Sequence, residues 1–249
     1  MMKFINRRRI IESMDNPSPE KKIHYESVKK YFNKDAAEYH QFYEEKNIQE
    51  IQHKLRKRND WNTYSSLLDD LLTHNPQIET FVDVGCGIGN VLLELLSRKQ
   101  FATIVGVDFL RETMMVAHKK EQYFNPVDFI QADLLHLPLK ERRFDVTICL
   151  NVLHHIHKDD FSKALAELSR VTKNYLMVEI RNRDNFMEFF YEHIKLRRKF
   201  RNLPQYTISI SELRHLLEHE GFRIERIKGK FPAPWMCRRL VVVCKKNPR

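Results

Sequence analysis

The chain has 249 residues, 42% of them apolar and 31% charged, with a formal net charge of +10 at pH 7. Such a length supports one sizeable core, or one core with a smaller appendage. No apolar run approaches the roughly 18 residues that a membrane span needs, and the opening MMKFINRRRIIESMD lacks the long apolar segment of a signal peptide, so a soluble chain is expected. The four cysteines, Cys86, Cys149, Cys237 and Cys244, form no CxxC pair and lie too far apart for a zinc framework, which fits a reduced cytoplasmic protein.

In chain order, residues 21–72 contain neither glycine nor proline, and their apolar spacing is helical: Val28, Tyr31, Phe32, then Tyr39, Phe42, Tyr43, then Tyr64, Leu67, Leu68, Leu71, Leu72. Two or three amphipathic helices are expected, making a cap over residues 1–75 that Pro76 ends. From residue 76 onward short β-rich runs alternate with helical stripes. The strands are TFVDVG, TIVGVD, VDFIQA, FDVTICL and NYLMVEI; the stripes between them include Ile88, Val91, Leu92, Leu95 and Phe161, Ala164, Leu165, Leu168. Strand alternating with helix predicts an α/β fold, a parallel sheet covered on both faces. Residues 182–203 read as an inserted helix. A helix at about 211–220 follows, stopped by Gly221, and then two final strands, FRIERIKG and RRLVVVCKK.

The basic excess is concentrated at this end of the chain: residues 182–249 hold 16 Lys+Arg against 7 Asp+Glu. Such asymmetry suggests an anionic partner, whether nucleic acid, a phosphorylated small molecule or a membrane surface; a solvated basic face is the plain alternative.

Three of the six glycines, Gly85, Gly87 and Gly89, fall within five positions of FVDVGCGIGN, between the first strand and the helix after it. Glycine tolerates positive φ and carries no Cβ, so a ligand can lie against bare backbone there, near the free N–H groups of the helix start. Asp108 ends the second strand, where a carboxylate can accept both hydroxyls of a ribose. The pattern is G-x-G-x-G followed by Asn90 and preceded by Asp83, which differs from the G-x-G-x-x-G of dinucleotide sites.

In these residues the stretch resembles motif I of the class I S-adenosylmethionine (SAM) methyltransferases. Over about Thr80 to Ile180 the motifs that follow agree: VGVDFL, QADLLHLPL, FDVTICLNVLHHI and ALAELSRVTKNYLMVEI. The fourth-strand segment looks like the small-molecule branch that includes the ubiquinone and menaquinone biosynthesis enzymes. The resemblance implies a Rossmann-like, doubly wound, seven-stranded and mostly parallel sheet, with SAM as cofactor. It places Asp83, Gly85, Cys86, Gly87 and Gly89 around the cofactor and Asp108 with Phe109 at its ribose. Asp133 and Leu134 fall to the adenine, and Asn151 and Val152 to the methionine end. One departure is TKN, at 172–174, where the family has a glycine-rich turn.

Methyl transfer from a sulfonium is an in-line displacement that needs alignment and dryness, and a base only when the acceptor must lose a proton. His155, then His154, are the candidate bases. They sit at the carboxyl end of the fourth strand, with an ordinary histidine pKa near 6.5, and the nearby residues complete no metal ligand set. Acceptor choice is expected from the N-terminal cap and from the insert, whose Lys195, Arg197, Arg198, Lys199 and Arg201 follow Phe186, Phe189, Phe190 and Tyr191. Both parts are expected to cover the carboxyl ends of the strands as a lid. The leading expectation is a methyltransferase acting on an oxygen of a small-molecule, lipid or sugar intermediate that carries negative charge. RNA methylation is second, and a SAM-binding partner protein without activity is third.

Overall fold

A computed structural model describes residues 18–44, 61–98, 101–119, 127–186 and 205–248. The aromatic side chains expected at 39, 42 and 43 lie outside the described residues, as do residues 187–203 of the insert expected at 182–203, with its basic run.

Two helices precede the sheet, α1 (Pro19–Glu44) and α2 (Trp61–His74). Proline suits the first turn because its missing N–H would have no helical partner there, and Lys21 N reaches back to Ser18 Oγ at 3.4 Å. The alternating region then gives β1 (Thr80–Val84), α3 (Asn90–Leu96), β2 (Thr103–Asp108), α4 (Arg111–Lys119), β3 (Val127–Gln131), β4 (Phe144–Cys149), α5 (Phe161–Val171) and β5 (Thr172–Arg181). After it come α6 (Ile210–His219), β6 (Phe222–Lys228) and β7 (Arg239–Lys246).

All seven expected strands form one sheet in the order β3-β2-β1-β4-β5-β7-β6. The first five are parallel, whereas β7 runs antiparallel between β5 and β6. Composition accounts for this placement. The LVVVC run of β7 is buried on both faces, while FRIERIK in β6 alternates charged with apolar residues and takes the edge.

The pleat divides the core in two. Val82, Val84, Leu176, Val178 and Val242 face one side, where α5 and α6 cover them; Phe81, Ile104, Met177 and Val241 face the other, against α2 and α3. TKN needs no turn, because α5 runs directly into β5. Thr172 Oγ1 donates to the Leu168 carbonyl at 2.6 Å, and Lys173 and Asn174 donate to Asp145 at 3.1 and 3.2 Å. Asp145 also accepts the backbone N–H groups of Glu79 and Thr80, so one carboxylate ties β1, β4 and β5 together at their amino ends. The carboxyl ends, by contrast, surround a cleft.

Candidate functional site

The cleft has a volume of about 560 Å³, within the range of small-molecule sites. Its floor is the β1–α3 turn. Gly85, Gly87 and Gly89 all have positive φ, at 81°, 53° and 80°. At Gly85 a Cβ would stand 2.1 Å from Val152 Cγ2, so the fourth-strand loop is packed onto bare backbone there. At Gly87 a Cβ would meet no protein atom within 4 Å: that position opens on the cleft itself. Gly89 lies outside the cleft wall and turns the chain into α3, where its carbonyl accepts Leu93 N at 3.1 Å.

Three acids stand at the ends of β1, β2 and β3. Asp108 accepts Gly87 N at 2.8 Å on one oxygen, and Leu110 N and Thr113 Oγ1 at 2.8 and 3.0 Å on the other. Both oxygens are thereby oriented, and acceptor capacity remains for further donors. Burial pushes its pKa up, and the hydrogen bonds from Leu110, Gly87 and Thr113 pull it back. Asp83 is only 2% exposed and its Oδ2 has no hydrogen-bond partner among the described residues. Burial, reinforced by the charge of Asp108, raises its pKa to about 8. Asp133 accepts Leu135 N at 2.9 Å on Oδ1, while its buried Oδ2 has His136 Nδ1 no closer than 4.0 Å. Its pKa is likewise raised by burial.

A turn that is bare at Gly87 therefore faces two buried carboxylate oxygens that lack hydrogen-bond partners among the described residues, and burying such atoms is costly unless a ligand engages them. The arrangement suits a ligand with hydroxyls at Asp108, a positive charge near Asp83 and an amine near Asp133. Cys86 lines the turn with a thiol that burial keeps protonated, and Phe109 and Leu134 supply apolar wall.

The opposite wall begins at Asn151, whose φ of 61° is left-handed, a conformation asparagine tolerates better than most residues. Its amide donates to Tyr64 Oη at 3.2 Å and accepts from Arg239 at 3.3 Å, and Tyr64 donates to the fully buried Glu179. His154 and His155 follow in a single 3₁₀ turn with ring centroids 4.0 Å apart. Helix α1 roofs them: His24 Nε2 donates to the His155 carbonyl at 2.7 Å and Phe32 packs edge-on against the His155 ring at 5.0 Å.

The expectation of ordinary histidine basicity is corrected here. Burial first, then the charge of Arg181, holds His155 at a pKa of about 3, and burial followed by His155 holds His154 well below its usual value. Both are neutral at physiological pH and weak as bases. His157 caps the next 3₁₀ turn beneath α1 and stands outside the cleft wall.

Sequence reading thus located the acidic half of the cleft and both histidines. It missed Trp61, Tyr64, Thr113, Glu179, Arg181 and Arg239. A signal existed for one pair: Glu179 and Arg181 are charged residues flanking Ile180 at the end of an apolar strand, where burial alone would favour neither.

A family model described as a methyltransferase domain matches residues 81–175. The chain is 36% identical over 92 residues to a demethylmenaquinone methyltransferase of Thermus thermophilus, covering 36% of this chain and 40% of the relative. It is 33% identical over 112 residues to an uncharacterised protein of Methanocaldococcus jannaschii, covering 43% of each. The chain therefore spans about two fifths of the length of these curated relatives. Among solved structures, magnesium protoporphyrin IX methyltransferase of Synechocystis with bound SAM shares the fold. Its TM-score is 0.66 at 19% identity, over 94% of this chain and 100% of that one.

Proposed function

We propose that the chain, as a member of the class I SAM-dependent methyltransferase superfamily, binds SAM and methylates a small-molecule acceptor. The observation that carries this reading is the set of three acids, Asp83, Asp108 and Asp133, presented to one cleft around a turn with no side chain at Gly87. Asp108 receives the ribose hydroxyls, held ready by three donors of the chain's own. Asp83 compensates positive charge, and Asp133 with the backbone at Leu134 takes the adenine edge. Asn151 and Val152 border the methionine end.

SAM supplies an electrophilic methyl group: the acceptor atom forms its new bond to that carbon as the C–S bond breaks and the electron pair leaves on sulfur. The chain's residues orient the partners and exclude water. For an oxygen acceptor the hydroxyl proton passes to an imidazole, and the buried Nδ1 atoms of His154 and His155 are the groups within the cleft wall that support this assignment. Of the N-terminal cap, helix α1 serves as a cover of the acceptor side, a role supported by its contacts with His155.

Incubation with isotope-labelled SAM and fractionated cell extract, followed by mass identification of the labelled product, tests the proposal. A labelled low-mass product made by the wild type and lost in Asp108→Ala is expected. Absence of SAM binding by calorimetry would overturn the assignment.

A further inference from the structure

The cleft is electrically two-sided. Its cofactor end is lined by acids, whereas the end beyond Asn151 is basic. Arg181 closes β5 and Arg239 opens β7, and the antiparallel ladder sets them directly opposite each other. Both belong to the cleft wall, and Arg181 is only 7% exposed. Like charges at facing ladder positions repel, and a wall shielded from water screens that repulsion poorly. Glu179, buried on the same face of β5, lies with Oε1 4.0 Å from Arg239 Nε and accepts the Tyr64 hydroxyl on its other oxygen. Asn151 Oδ1 holds Arg239 from another side at 3.3 Å. These contacts fix Arg239, and the Arg181 guanidinium adds a second positive charge to the same wall. The field reaches the imidazoles: after burial, Arg181 is the next cause that lowers the pKa of His155, and it acts on His154 as well. The Nδ1 atoms of both rings are buried without a hydrogen-bond partner among the described residues.

Resting on the methyltransferase reading, we propose that this end of the cleft is an oxyanion subsite: Arg181 and Arg239 bind a carboxylate or phosphate of the acceptor, and the imidazoles of His154 and His155 face the atom to be methylated. Two guanidinium forks on adjacent strands suit a planar or tetrahedral oxyanion. A bound anion offsets the positive field at His155, so the imidazole gains basicity when the acceptor is seated. The subsite lies in the wall formed by the paired ends of β5 and β7.

The test uses the protein loaded with S-adenosylhomocysteine and, in parallel, the protein without it. Benzoate, phenyl phosphate and their neutral counterpart benzamide are titrated by ligand-observed NMR and calorimetry against wild type, Arg181→Gln, Arg181→Lys and Arg239→Gln. At least one oxyanion should bind the wild type, benzamide should bind at least about 10-fold more weakly, and Arg181→Gln should weaken the oxyanion by about 10-fold or more with Arg181→Lys between. S-adenosylhomocysteine affinity should change less than about twofold in Arg181→Gln, since the cofactor contacts assigned to Asp83, Asp108 and Asp133 lie on the other rim of the cleft. The tighter of benzoate and phenyl phosphate identifies the anion. Equal binding of benzamide and benzoate, or equal oxyanion binding by wild type and Arg181→Gln, overturns the subsite. Loss of S-adenosylhomocysteine affinity in Arg181→Gln with oxyanion binding unchanged overturns it too, and assigns the arginines to the cofactor carboxylate. Should Arg239→Gln unfold because Glu179 loses a neighbouring cation, Arg181→Gln carries the result alone. Failure of the wild type to bind S-adenosylhomocysteine would refute the methyltransferase reading, while the titrations of cofactor-free protein still decide the subsite.

Discussion

The two glycines of the β1–α3 turn have different physical reasons, and substitution separates them. Alanine at either position adopts a left-handed φ at a cost of about 1–2 kcal/mol. At Gly85 it also collides with Val152 Cγ2, whereas at Gly87 it enters the space a ligand would fill. Gly85→Ala is therefore expected to lower stability well beyond Gly87→Ala, and Val152→Ala should recover part of the loss in the double variant. Strict additivity in urea unfolding would sink this account. Asp108→Ala should weaken SAM binding by about 1.5–3 kcal/mol, since it removes a charge-assisted ribose contact and the partner that orients Gly87 N–H. Calorimetry returning wild-type affinity for a folded variant would take Asp108 out of the site. Asp83 makes a prediction with a definite sign. With a pKa of about 8 it is mostly protonated at pH 7, and a cationic ligand favours its ionised form. Binding of SAM at pH 7 should release up to one proton, and the release should vanish above about pH 9 and in Asp83→Asn. Calorimetry in buffers of different ionisation enthalpy reads the proton directly, and a buffer-independent enthalpy at pH 7 would refute the linkage.

At the scale of elements, α1 is attached to the cleft by few polar contacts, so its docking should be separable from folding of the sheet. Lys21 Nζ and Tyr25 Oη donate to Asp160 at 2.6 and 2.8 Å, and these bonds hold the Asp160 carboxyl below its usual range. A carboxylate whose folded pKa is depressed contributes stability above its unfolded pKa and loses it as pH falls through the folded value. Helix α1 should accordingly loosen as the solution is acidified below about pH 4, before the sheet does. Tyr25→Phe should cost the docked state about 1–2 kcal/mol. Hydrogen exchange resolves the two: faster exchange over residues 19–34 with unchanged protection of β4 and β5 is expected. Loss of protection in both regions together would show that α1 is part of the cooperative core. The sheet explains its own independence, since α2, α3, α5 and α6 already cover both faces without α1.

For the whole molecule, the buried ionisable groups in and beside the cleft set a pH profile. His24, His154 and His155 are pushed down by burial, so below about pH 6.5 each takes up a proton in the unfolded chain that the folded one refuses, for His155 down to about pH 3, and this makes stability rise with pH. Asp83 keeps its proton to about pH 8, so from about pH 4 it contributes an opposing decline of at most about 1.4 kcal/mol per pH unit, which the histidines outweigh only below about pH 6.5. The melting temperature without ligand should peak near pH 6.5, and saturating SAM should flatten the decline toward pH 8. A monotonic rise through that interval would refute the protonated Asp83. The α/β class, the seven strands and the acidic half of the cleft were all readable from the chain. Each depends on local order: an apolar run of period two or a helical stripe, and a glycine turn flanked by acids that their own strands carry to one rim. The place of β7 was readable in its unbroken LVVVC run, though no local rule stated that it inserts beside β5. What tertiary structure alone decided is the other half of the cleft. Arg181 meets Arg239 because antiparallel insertion pairs the end of one strand with the start of another, Tyr64 reaches Glu179 across the core, and α1 buries the imidazoles and removes their basicity. Register and desolvation are properties of distant segments brought together, and spacing along a single segment does not encode them.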